Sequence, residues 1–133
     1  MTIEEKRELA ETSIYPETLE ILSNEEDKFI RWNVARNKNT SKETLDKLAD
    51  DEDEKVRWNV ARNKNTSKET LGKLADDEKC LVFYSVYINH KTSSETLLKI
   101  EKRKEICKKC KFNNQDYNAI SCPYKFEHEV ANG

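Results

Sequence analysis

The sequence predicts an all-α fold, a short α-solenoid of 26-residue helix pairs with a small metal-stapled C-terminal cap, and three observations lead there. The word RWNVARNKNTSKETL occurs twice, at residues 31–45 and 57–71, and a fixed period in that range marks stacked repeats. No segment alternates apolar and polar residues for long enough to argue a β-strand. The chain is also polar, at 38% charged and 35% hydrophobic residues over 133 positions, with a mean hydropathy of −0.98. A single spherical core would be hard to fill from that composition, whereas a stacked repeat buries only a thin stripe against its neighbours.

Aligned on the duplicated word, the units are residues 14–39, 40–65 and 66–91, with a partial fourth at 92–100. Residues 1–13 precede them as an N-terminal capping helix, in which Thr2 and Glu5 have capping-box spacing and Leu9 and Ala10 cover the first repeat. Each unit reads as two short helices. Thr40, Thr66 and Thr92 stand three residues before Glu43, Glu69 and Glu95, a capping box that starts the first helix. Leu45, Leu48 and Ala49 then share one face. The acidic run DDEDE breaks the pattern and sets carboxylates at the positive end of the second helix. Val56, Val60 and Ala61 form the apolar stripe of that helix, and Asn37, Asn63 and Asn89 recur at its end, where Asn tolerates a left-handed closing residue.

The third unit departs from the pattern. In CLVFYSVYI, residues 80–88, Val82 and Val86 keep the repeat core, while Cys80, Tyr84, Tyr87 and Ile88 add a second apolar face. A helix apolar nearly all round is a buried helix. The chain that follows is the nearest cover for it.

The succession V-R-x-x-V-A-x-N and T-x-x-x-x-L-x-x-L-A-x-D, seen as VRWNVARNKNTSKETLGKLADD, resembles the leucine-rich repeat variant family over roughly residues 14–100. The resemblance implies a right-handed superhelix of alternating α and 3₁₀ helices without strands. Helix pairs of the related HEAT type would stack in nearly the same way.

Trp32, Trp58 and Tyr84 share one repeat position and so form a row about one repeat apart. The simplest role for such a row is packing between repeats. The alternative is a binding surface made by Trp32 and Trp58 with Arg31, Arg36, Arg57 and Arg62, and with Lys38 and Lys64 beyond, because arginines interleaved with aromatics hold phosphates or stack on bases.

Residues 101–133 form a Cys-rich C-terminal cap. Cys107 and Cys110 make a C-x2-C knuckle, Cys122 follows, and His128 offers an imidazole. Three thiolates and one imidazole suit tetrahedral zinc, with Cys80 as the alternative fourth ligand. Four cysteines, with Pro123 directly after Cys122, also suit a [4Fe-4S] cluster. The family resemblance raises this option, because a member of that family joins its repeats to an iron-sulfur segment, although there the cysteines precede the repeats. Without a metal, Cys80 is a small buried hydrophobe.

A net charge of −2 names no partner. No apolar run approaches the roughly 20 residues of a membrane span, and MTIEEKRELAETS lacks a secretory core. These features predict a cytoplasmic monomer without membrane contact. They favour metal or redox chemistry over disulfides for the cysteines. Neither His90 nor His128 lies in a nucleophile motif, and two glycines make no phosphate loop. The expected function is a non-enzymatic, protein-binding adaptor module. Nucleic-acid binding through the Arg/Lys edge and iron-sulfur redox work are the alternatives.

Overall fold

The computed structural model describes residues 1–107, with side chains described through Arg103. The described residues are all-helical, without a strand. The helices are α1 (Ile3–Thr12), α2 (Pro16–Leu22), α3 (Lys28–Arg36), α4 (Lys42–Leu48), α5 (Glu54–Arg62), α6 (Lys68–Leu74), α7 (Cys80–Ile88) and α8 (Ser94–Cys107). Both helices of each repeat are α-helices, seven and nine residues long, where the resemblance implies alternation with 3₁₀ helices. Helices α1, α3, α5 and α7 pack in succession, and α2, α4 and α6 each pack against the longer helix of their own repeat. The predicted stripes form the core: Leu45, Leu48, Ala49, Val56, Val60 and Ala61 are all buried. Ala10 joins them from α1, with Leu9 packed partly against the same core.

Helix starts follow the polar residues, with one shift. Thr2 and Glu5 form the full capping box at α1. In the repeats the cap is the next hydroxyl: Ser41, Ser67 and Ser93 accept the N–H of Thr44, Thr70 and Thr96. The preceding threonine has other work. The Thr40 hydroxyl donates to the Val34 carbonyl at 2.6 Å, as Thr66 does to Val60, and Thr92 repeats the bond to Val86. These are carbonyls of the last helical turn, which otherwise accept only the N–H of the capping asparagine. Asp27 and Asp53 cap α3 and α5 from the acidic turns, accepting backbone N–H groups.

The asparagines at the ends of α3, α5 and α7 are extended, with φ −68 and ψ 127 at Asn37, and not left-handed. Their amides explain why. The Asn63 Oδ1 accepts the Asn65 N–H at 2.9 Å, an Asx turn that reverses the chain. Its Nδ2 donates to the carbonyls of Ala35 and Asn37 in the preceding repeat, at 2.8 and 3.0 Å. Asn89 bonds Ala61 and Asn63 in the same way, and Asn37 bonds Ala10 and Ser13 of the N-terminal segment. One amide thus closes its own helix and satisfies the end of the neighbouring one.

Charge ties successive units together as well. Arg31 makes a two-pronged contact with Asp51, and Arg57 one with Asp77, each between side chains mostly shielded from water. Arg7 of α1 meets Asp27 with the same geometry on a more open surface. Arg31 and Arg57 each also donate to a carbonyl six residues back, Arg31 to Glu25 and Arg57 to Asp51. At the third repeat the arginine is replaced by Phe83. The corresponding carbonyl, that of Asp77, is instead bonded by Arg103 of α8, which also donates to the Ala75 carbonyl at 2.6 Å. The Arg103 guanidinium lies 4.0 Å from the centre of the Phe83 ring. A guanidinium from the next helix therefore occupies the place that the repeat arginine leaves, and the phenylalanine supports it.

The second apolar face of α7 is only partly covered. Cys80 and Tyr84 are buried, and Phe83 and Tyr84 stack with ring centres 4.6 Å apart, but Tyr87 and Ile88 are exposed. The segment that the sequence predicts as its cover, within residues 101–133, lies largely outside the described residues.

Two carboxylates carry acid sensitivity. The hydrogen bond from Arg7 holds Asp27 below the ordinary carboxylate value of 3.8, against an opposing effect of burial. The Thr70 hydroxyl, assisted by Lys73 and again opposed by burial, lowers Asp46. A folded pKa below the unfolded one favours folding fully above the unfolded value, and that stabilisation disappears as pH falls through the folded value. Urea midpoints should therefore drop below about pH 4. The double variant Asp27→Asn/Asp46→Asn should show a shallower acid limb; an unchanged slope would remove these two groups from the explanation.

Candidate binding groove

The duplicated word RWN places a tryptophan on α3 and on α5, beside the stripe that faces the core. Trp32 on α3 and Trp58 on α5 are half-buried, each with part of its surface against the core. Arg36 and Arg62 follow one turn later and are exposed. Together with Lys55, Asn59, Asn63 and Leu81 these side chains line a groove of about 620 Å³ that crosses from α3 over α5 to α7.

Its two tryptophans are not equivalent. The Trp32 indole N–H donates to Asp53 Oδ1 at 2.7 Å, the same oxygen that caps α5. At the matching position ahead of α7 stands Lys79, which cannot accept, and the Trp58 N–H has no acceptor among the described residues. Cations already cover both rings. Lys55 Nζ sits 4.8 Å from the Trp32 ring centre, and the Arg62 guanidinium 4.7 Å from that of Trp58. Phe29 meets Trp32 edge-on at 4.7 Å.

Asn59 is 5% exposed, lines the groove, and makes no side-chain hydrogen bond among the described residues. Its counterpart Asn33 donates to the Arg7 carbonyl at 3.0 Å. Asn59 thus brings an amide with both donor and acceptor capacity to a half-apolar floor. Two further clefts continue the groove. One shares Arg36 and runs past Asn39 toward α1; the other shares Arg62 and runs past Lys64 and Lys91.

The structure sorts the candidate residues into two groups. Trp32, Trp58, Arg36 and Arg62 come together in the groove, and Lys38 and Lys64 line its two continuations. Arg31 and Arg57 do not line it. Their guanidiniums are held by Asp51 and Asp77, and those bonds set the spacing of the repeats. The hydrogen bond with Asp51 raises the Arg31 pKa against burial, so it remains a structural cation. Tyr84 is buried against Phe83 and leaves the aromatic row. Lys55, Asn59 and Leu81 are groove residues that the sequence does not single out, although Asn59 is detectable as a polar residue next to the Val56/Val60 stripe. Cys80 is buried at the start of α7. The ligand candidates Cys107, Cys110, Cys122 and His128, with the zinc or iron-sulfur cluster they would hold, lie outside the residues whose side chains are described.

No family model, curated protein or solved structure matches the chain. Among the described residues no helix is long and apolar enough to cross a membrane.

Proposed function

We propose that this protein is a non-enzymatic binding module, a short right-handed α-solenoid of the leucine-rich repeat variant or HEAT-like type, and that its partner is another protein. The observation that carries this reading is the groove. It draws Trp32 and Arg36 from one repeat and Trp58, Asn59 and Arg62 from the next, and it continues in both directions along the packed helices. Repeats that stack side by side present such extended faces. The lining holds cations, amides and indoles but no nucleophile with an adjacent base, which suits recognition rather than catalysis.

A nucleic-acid ligand fits the cations but not the rings. Base stacking needs an open aromatic face, whereas Lys55 and Arg62 lie over these rings and the remaining surface packs toward the core. Selection of a displayed peptide library against the full chain tests the proposal. Selected binders should lose at least about tenfold in affinity with Arg36→Glu/Arg62→Glu, a change of roughly 1.4 kcal/mol, and should be unaffected by Lys47→Glu on α4. Binders indifferent to the groove substitutions would overturn it.

The cap belongs to the same proposal. Cys107, Cys110, Cys122 and His128 offer donors of the kind zinc takes, and a short segment gains from such a staple. Metal content read together with the absorbance spectrum separates zinc from an iron-sulfur cluster.

A further inference from the structure

We infer that the groove binds an acidic peptide in extended form, with the Asn59 amide pairing to one of its backbone peptide groups and Arg36, Lys55 and Arg62 facing its carboxylates. The inference rests on the protein-binding reading above and names the chemistry of the partner.

Three features of the groove support it. A side-chain amide is complementary to a peptide group, since its Oδ1 accepts an N–H while its Nδ2 donates to a carbonyl. Asn59 is nine-tenths buried, lines the groove and leaves both atoms without a partner among the described residues. The amide atoms themselves open onto the groove, since among the described residues neither is a fully buried side-chain nitrogen or oxygen lacking a partner, so an incoming peptide group can reach them. Its repeat counterpart Asn33 does bond a backbone carbonyl, that of Arg7, so the same position already recognises main chain where main chain is present.

Charge gives the peptide its composition. Among the described residues Arg36, Lys55 and Arg62 have no carboxylate partner within 4.0 Å, in contrast to Arg31, Arg57 and Lys73, which are all paired. The groove lining therefore carries three cations and no carboxylate in a protein of net charge −2. The adjoining clefts add Lys38 and Lys64 to these cations. The Trp58 N–H, released from any carboxylate by Lys79, supplies one more donor beside Asn59. An extended segment advances about 3.3 Å per residue and adjacent helices lie about 10 Å apart, so carboxylates on nearby residues can reach cations of successive repeats.

Trp32 and Trp58 are the only tryptophans of the chain, and both line the groove, so intrinsic fluorescence reports its occupation. The full chain is titrated with a Glu/Ser alternating peptide of about ten residues, long enough to cross more than one repeat. The parallel probes are its backbone N-methylated analogue, the Lys/Ser counterpart, and an oligothymidylate of similar length. The acidic peptide should give a saturable change that weakens about tenfold with Arg36→Ala/Arg62→Ala, as for two exposed ion pairs. Asn59→Ala should weaken it by about five- to tenfold, and N-methylation should weaken it equally without adding to the Asn59 effect. Should Asn59→Ala fail to fold, the N-methylated peptide on the unaltered protein decides the same point. Equal binding of the N-methylated and parent peptides overturns the inference, as does binding of oligothymidylate alone. Library binders that map to the groove without being acidic would overturn the inference while leaving the protein-binding function standing.

Discussion

Arg57→Ala should lower the free energy of unfolding by about 3–5 kcal/mol, the cost of stripping the partner from a shielded charge. The Asp77 side chain is only 8% exposed, and Arg57 Nε donates to it at 2.7 Å. Burial by itself disfavours the Arg57 charge, yet the hydrogen bond and the charge of Asp77 outweigh it and raise its pKa. Truncation removes the cation, leaves the carboxylate in place, and also abandons the Asp51 carbonyl that Arg57 bonds at 2.7 Å. Urea denaturation of Arg57→Ala, Asp77→Ala and the double variant forms a cycle in which the double variant is less damaged than the sum of the single ones. Arg7→Ala is the control. Its pair with Asp27 is more open to water, with 38% of the arginine side chain exposed, and should contribute far less. Equal losses for Arg57 and Arg7 would show that solvent shielding of this pair is not what makes it strong.

Asn63→Ala should cost about 2–4 kcal/mol, which is large for the removal of a single polar side chain. Two buried carbonyls, of Ala35 and Asn37, lose their donor, and the Asn65 N–H loses its acceptor. Asn63→Asp keeps the acceptor but turns an oxygen toward both carbonyls, so near neutral pH it should be at least as damaging. Asn65→Ala offers the comparison, because Asn65 is exposed and its amide bonds the Lys38 and Thr40 carbonyls from the outside. A loss below about 1 kcal/mol for Asn63→Ala would mean that water replaces the amide at the seam.

Much of the helical framework is legible in the residues. The period fixes the units, and the i, i+3, i+4 spacing of Leu45, Leu48 and Ala49 identifies the buried stripe. Thr2 and Glu5 cap α1 as their spacing predicts. The errors come from residues with two plausible uses. Thr40 and Ser41 are adjacent hydroxyls, and only the path of the preceding helix end, which brings the Val34 carbonyl to the threonine, assigns the threonine to one side and the serine to the other. Asn37 suits a left-handed closure in isolation but is drawn into an extended backbone by acceptors in the preceding segment.

The groove was readable in part for a related reason. Arg31 and Arg36 look alike in a list of cations, and a partner twenty residues away separates them. The recurrence of Arg with Asp at that interval, as Arg7/Asp27, Arg31/Asp51 and Arg57/Asp77, is visible in the chain and marks which arginines are occupied. The role of Asn59 has no such mark. Asn33 bonds the Arg7 carbonyl while Asn59, in the same word, has no partner among the described residues, so the difference is a property of the packed helices rather than of the local sequence.

The substitution of Phe83 for the repeat arginine, answered by Arg103, makes the two ends of the array unequal. Residues 40–65 carry matching halves of both seams, an arginine and an asparagine on one edge with an aspartate and helix-end carbonyls on the other. Another copy of that segment could be spliced in beside itself and find every bond it needs. A tandem copy of residues 66–91 could not, because its aromatic ring offers nothing to the next acidic turn. The protein is thus written to lengthen from its middle, and its seam changes character between α7 and α8.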